Sequence, residues 1–147
     1  MTTPRLVFVE QALSELVTQT PKPIRLNQTF VMNTTYYVYI LTNTHNTTLY
    51  TGVTNNLQRR VAEHKLHLNS GFSDRYNTEK LVYYETFPII TDAIHREKQL
   101  KKWHRDWKEK VIGDFNPQWI DLADSIGVDE GYLQSIQAAF DNGTLWR

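Results

Sequence analysis

Between residues 34 and 53 the chain carries no Asp, Glu, Lys or Arg, and two runs rich in aromatic and β-branched side chains, Tyr36 to Leu41 and Leu49 to Val53, flank the polar stretch Asn43 to Thr48. Two such runs about a short polar turn predict an antiparallel hairpin. Lys80 to Phe87 alternates as a third strand. The hairpin places Tyr39 and Tyr50, eleven positions apart, one in each arm.

The helical segments follow from caps and periodicity. Thr54 or Asn55 caps a helix to about Leu66, Thr91 caps a second through Lys102, and a third spans Asp106 to Ile112. A last helix runs from Asp129 to Phe140 and ends near Gly143. Ahead of the hairpin, Val7 to Val17 is amphipathic, Pro21 and Pro23 interrupt it, and an extended polar stretch reaches Thr35. The expected class is α/β (α+β), a small three-stranded antiparallel sheet flanked by helices. Its parts are an N-terminal extension 1–34, a core 35–123 and an acidic, helical extension 124–147.

At 147 residues the chain supports one domain with a real core. The absence of cysteine excludes disulfides, thiolate zinc and cysteine nucleophiles, and fits a reducing cytoplasm. No stretch approaches the roughly 20 apolar residues that span a bilayer, so no membrane partner is expected.

The net charge of zero conceals a basic middle and an acidic tail. Residues 54–110 hold twelve basic against eight acidic groups, and residues 111–147 one against six. Arg59, Lys98, Lys101, Lys102 and Arg105, with Trp103 and Trp107 beside the last four, suit phosphate contacts with nearby aromatic surface. A solvated basic helix face reads equally well.

In the first helix Leu57, Arg60, Val61 and His64 fall on one stripe, with Arg59 turned toward Glu63. A guanidinium on an inward stripe needs acceptors, either a structural carboxylate or a ligand phosphate. In the second helix Ala93, Glu97 and Leu100 share a side, so a carboxylate sits between apolar neighbours. Such a carboxylate ligates a hard cation or pairs with Lys101 or Arg60. Gly52 marks a bulge or a close approach to the strand.

Taken together, Tyr37-Val38-Tyr39, Tyr50-Thr51-Gly52, Arg60, His64, Glu97 and Asn116-Pro117-Gln118-Trp119 resemble the GIY-YIG nuclease superfamily, above all its small stand-alone bacterial branch. Tyr37 stands where the family's first half-motif has glycine. The resemblance implies hydrolysis of DNA phosphodiesters with Mg²⁺ or Mn²⁺. It implies Glu97 as the metal ligand, Arg60 as a cation on the phosphate, and Tyr39 as proton acceptor with a depressed pKa. Tyr50 then orients water or phosphate, His64 supports Tyr39 or is itself the base, and Asn116 supports the site. A groove of Tyr36, Tyr37, Tyr83, Tyr84, Phe72 or Trp103 would stack exposed bases and favour single-stranded DNA. The competing readings are a non-catalytic nucleic-acid-binding module and a repair nuclease dependent on a partner. The terminal extensions offer the docking or dimer surface.

Overall fold

The computed structural model describes residues 33–145. The helix expected near Val7 to Val17, the proline break and the extended stretch up to residue 32 lie outside them.

Strands β1 (Tyr36–Thr42), β2 (Leu49–Thr54) and β3 (Lys80–Phe87) form one antiparallel sheet in the order β2-β1-β3. The hairpin register sets Tyr39 opposite Gly52 and Leu41 opposite Tyr50. On the other side Tyr39 faces Tyr84 and Ile40 faces Tyr83, with a bulge after Ile40. The bulge interrupts the period of two, so Val82 and Tyr83 both join one core cluster while Leu81 and Tyr84 join the other.

Helices cover both faces because β1 is apolar on both. Helix α1 (Leu57–Lys65) buries Leu57, Val61 and Ala62 against Tyr39, Leu41 and Leu81. On the opposite face α3 (Ile90–Lys102) and α4 (Arg105–Phe115) bury Ala93, Leu100 and Ile112 against Val38, Ile40 and Val82. Between α1 and β3 the chain makes the one-turn helix α2 (Phe72–Arg75), which sequence periodicity did not indicate.

Asn56, one residue later than expected, caps α1 by accepting the Arg59 amide at 3.1 Å. Thr54 Oγ1 instead accepts the Asn56 amide. Thr91 is no cap; α3 begins after Ile89, whose carbonyl receives the Ala93 amide without side-chain help. Helix α4 runs three residues beyond Ile112, past Gly113 to Phe115.

Asn116 ends α4. Its amide donates to the Val82 and Ile120 carbonyls and its oxygen accepts the Ile120 amide, which lays the following loop along β3. Asp121 then accepts the Leu81 amide at 3.1 Å and pairs with Lys65 at 2.5 Å. After a short 3₁₀ turn, helix α5 (Glu130–Asp141), capped by Asp129, lays Tyr132, Leu133 and Ile136 on the α1 side of the core. Ala123 and Val128 are buried in the same cluster, so packing continues across position 124. No helix of the described residues is long and apolar enough to cross a membrane.

Candidate active site

The hairpin and α1 bring Tyr39, Tyr50, Arg60 and His64 together on one face of the sheet. Tyr39 is fully buried. Its hydroxyl lies 3.2 Å from His64 Nε2 and receives the Arg60 Nε–H at 3.4 Å. Tyr50 is half-buried, with ring centroids 6.2 Å from Tyr39 and 5.2 Å from His64. Room for the Tyr39 ring comes from Gly52, where an added Cβ would stand 2.5 Å from the Tyr39 Cζ and Oη. Of the two meanings open to that glycine, close approach is the one realised.

Arg60 finds a carboxylate as well as the phenol. Its Nη1 donates to Glu63 at 3.0 Å, and Arg59 Nε donates to the same carboxylate at 2.9 Å. Asn69 adds a third donor at 3.1 Å. Glu63 is 3% exposed while Arg60 is 34% exposed, so the acid is buried and the guanidinium reaches the surface. An open groove lined by Val53, Thr54, Asn55, Asn56, Arg59, Arg60 and Glu63 lies there. Burial opposes the charge of Arg60, yet the bonds to Tyr39 and Glu63 outweigh it and hold the group firmly protonated.

His64 has a hydroxyl at each ring nitrogen, Tyr39 at Nε2 and Ser73 at Nδ1, the latter at 2.6 Å. Ser73 in turn meets Thr78 Oγ1 at 2.6 Å, and both are buried. Burial, then the charges of Arg60 and His67, lowers the His64 pKa to about 4, so the ring is neutral at pH 7. A neutral imidazole has one donor and one acceptor nitrogen, so one of these hydroxyls donates and the other accepts.

The depressed Tyr39 pKa expected from nearby cations is not found. Burial, reinforced by Tyr50, raises it, and the hydrogen bond and charge of Arg60 do not overcome that. The sequence shows the cation but not the depth at which the phenol is buried.

Glu97 lies on α3, buried on the same helix as Ala93 and Leu100, and is 8% exposed. It pairs with Lys101, one of the two partners expected, and not with Arg60. No hydrogen bond or ion pair joins it to the Tyr39 group. Its chemistry nonetheless fits a hard divalent cation better than that of Glu63. Glu63 is saturated by two guanidiniums and an amide, whereas Glu97 meets a single lysine that is 55% exposed and able to swing away. Among the described residues no three His, Cys, Asp or Glu side chains form a group that could hold a metal ion, so a cation on Glu97 would have to complete its shell with water and phosphate oxygens.

The basic residues divide. Lys98 and Lys102 are exposed and make no ion pair among the described residues. Lys101 and Arg59 are paired as described. Arg105 is committed elsewhere, its guanidinium donating to the carbonyls of Thr47 at 2.7 Å and Asn46 at 2.6 Å and to Glu109 at 2.6 Å, which clasps the β1–β2 turn. Asn116 is likewise spent on backbone partners.

Among the aromatics expected to stack bases, Tyr83 is buried and bonded to Glu85. Trp103 lies under Arg96 at 4.9 Å. Tyr37 and Tyr84 pack on each other with centroids 6.5 Å apart. Only Phe72 of the six is strongly exposed, at 50%. Sequence reasoning missed Glu63 as the anchor of both arginines, and also Ser73 and Thr78. The one legible signal was the Arg59 to Glu63 spacing of four.

The GIY-YIG catalytic domain model matches residues 35–110, just over half of the chain, and the chain belongs to that family of nuclease-type domains. It is 37% identical over 79 residues to a UPF0213 protein of Natronomonas pharaonis, covering 54% of this chain and 92% of that one. A UPF0213 protein of Clostridium perfringens is 38% identical over 76 residues, covering 52% and 81%. The solution NMR structure of a UPF0213 protein from Bacillus halodurans is 25% identical with a TM-score of 0.38, covering 59% of this chain and 92% of that chain.

Proposed function

We propose that the chain is a divalent-metal-dependent DNA endonuclease of the cytoplasm that hydrolyses phosphodiester bonds, with a single strand as the favoured substrate. The observation that carries this reading is the Arg60–Tyr39–His64 arrangement, in which a permanent cation at the surface contacts a buried phenol backed by a neutral imidazole. Residues 35–123 form its catalytic unit. The segment that follows completes the core, and the termini remain the candidate surfaces for a protein partner or a second copy.

Arg60 binds the scissile phosphate, its planar fork suiting two oxygens. Its bond to Tyr39 is long at 3.4 Å, so a phosphate competes for the guanidinium and uncovers the phenol. As water attacks phosphorus and the ester oxygen leaves, Tyr39 takes the water's proton on its oxygen and passes its own to His64 Nε2. A protonated Tyr39 thereby serves without a depressed pKa. This assigns the resting tautomer: Tyr39 donates to Nε2, and Nδ1–H donates to Ser73. Tyr50, half-exposed beside them, orients water or phosphate. Glu97 would hold Mg²⁺ or Mn²⁺, and the bound ion supplies Lewis-acid stabilisation of charge on the phosphate and leaving oxygen. Lys98 and Lys102 supply phosphate contacts along the strand, and Lys101 and Arg59 can join them if released from their carboxylates.

The pairing of Glu97 with Lys101, with no bond from it to Tyr39, Arg60 or His64, favours a second reading, a nucleic-acid-binding module without turnover. Incubating the purified chain and its Glu97→Gln and Arg60→Ala variants with end-labelled single-stranded and duplex DNA, in Mg²⁺, Mn²⁺ or EDTA, separates the two. Cleavage that needs the metal and both side chains supports the nuclease. Binding without cleavage under every condition rejects it in favour of the module. Cutting of duplex as fast as single strand removes the strand preference.

A further inference from the structure

Helix α2 and its C-cap residue Tyr76 present two rings to solvent beside the candidate site. Phe72 is 50% exposed and Tyr76 41%, with centroids 4.5 Å apart. Phe72 lies nearly parallel to Tyr50, at 24° and 6.3 Å between centroids, and so continues the ring series from His64 through Tyr50 out to the surface. The Arg75 guanidinium stands 5.6 Å over the Tyr76 ring.

This exposure belongs to a segment held firmly in place. Gly71 enters the turn at φ 148°, a conformation that favours glycine. Ser73, next to Phe72, points inward to His64 and Thr78, and the Thr78 amide returns to the Ser73 carbonyl at 3.0 Å. His67 bridges Asp74 at 2.7 Å and Glu79 at 3.1 Å across the base of the turn. The outward rings are therefore presented by a pinned scaffold, at the cost of leaving apolar surface in water. Of the other large exposed apolar side chains, Ile89, Ile90 and Ile120 carry no ring, Trp107 meets Trp103, and Phe115 packs on Tyr83 and Tyr84.

We propose that Phe72 and Tyr76 form a stacking subsite for one unpaired base of a DNA strand, adjacent to the phosphate that Arg60 binds. The inference rests on the nuclease reading and specifies its substrate. A base exposes its π-face to a protein ring only when it is out of the duplex stack, and stacking tolerates any base because all have such a face. Arg75 adds positive charge beside the rings for the neighbouring phosphate.

The test is a fluorescence titration of the full chain in EDTA with short oligodeoxythymidylates carrying one 2-aminopurine, single-stranded or annealed to a complement. Mg²⁺-dependent cleavage by the same preparations is followed in parallel. The wild type is expected to quench the single-stranded probe. Phe72→Ala and Tyr76→Ala should each weaken single-strand affinity roughly 10-fold, as loss of one aromatic–base stack does. Phe72→Trp should restore it, and duplex affinity should not move. Unchanged single-strand affinity in both alanine variants, with cleavage by the wild type intact, overturns the subsite and leaves the nuclease standing. Equal losses on single strand and duplex also overturn it, since they mark a general defect. A wild type that neither binds nor cuts DNA removes both proposals, and binding of duplex alone removes this one.

Discussion

Substituting Gly52 by alanine tests the geometry of the site independently of any activity. The new Cβ would sit 2.5 Å from Tyr39 Cζ and Oη and 2.9 Å from Cε1. Ordinary carbon contacts lie at ~3.5–4.0 Å, so the ring must retreat by about 1 Å. Tyr39 has no exposed surface into which to retreat, with Tyr50 at 6.2 Å and His64 at 6.0 Å between ring centroids. A shift of that size takes its hydroxyl out of hydrogen-bond range of His64 or Arg60, now at 3.2 and 3.4 Å. Overpacking costs about 1–3 kcal/mol and each lost bond about 0.5–1.5 kcal/mol. Alanine returns about 0.5–1 kcal/mol of strand propensity. A net loss of about 0.5–4 kcal/mol, centred on about 2 kcal/mol, is expected, read as a lower urea midpoint by tryptophan fluorescence with a displaced His64 ring resonance. Gly113→Ala is the control, because nothing lies within 4 Å of a Cβ there and helix α4 should gain about 0.5–1 kcal/mol. A Gly52→Ala protein within about 0.5 kcal/mol of wild type, the spread of an ordinary neutral surface change, would refute the packing argument.

Three further outcomes follow from the same structure. His64 titrates near 4 when folded against 6.5 unfolded, so below pH 6.5 the unfolded chain binds the extra proton. Stability is then lost progressively toward pH 4, by up to about 3 kcal/mol; urea titrations at pH 7 and pH 5 should show a larger loss for wild type than for His64→Gln, and equal losses refute it. Ser73→Ala removes the partner of Nδ1; it should cost about 1–3 kcal/mol and mix the two His64 tautomers in ¹⁵N spectra, whereas an unchanged spectrum rejects the assignment. Lys98→Ala or Lys102→Ala should lower the salt slope of DNA affinity by about 1, while Arg105→Ala should leave that slope unmoved and lower stability instead, because its donors serve the hairpin turn.

What could be read in advance was what repeats locally. The β3 bounds were legible although the bulge at Val82 breaks its alternation, and the hairpin follows from two uncharged runs about a polar turn. The shared stripe of Arg60 and His64 follows from helical spacing. The features that escaped depend on distance in sequence or on depth. Ser73 meets His64 through a loop with no periodic pattern. Arg105 has the composition of a phosphate contact and the partners of a clamp. Thr91 has the chemistry of a cap, but the first turn of α3 is already closed by the Ile89 carbonyl. The direction of the Tyr39 shift turned on complete burial, which two strand neighbours cannot reveal.

The clasp of Arg105 on the carbonyls of Asn46 and Thr47 spans 59 and 58 residues of chain. On a ribosome, where the amino end emerges first, the hairpin tip waits for α4 before it can be fastened. The first two strands therefore pair early but finish late, and a nascent chain halted before Arg105 leaves the Asn46 and Thr47 carbonyls to water.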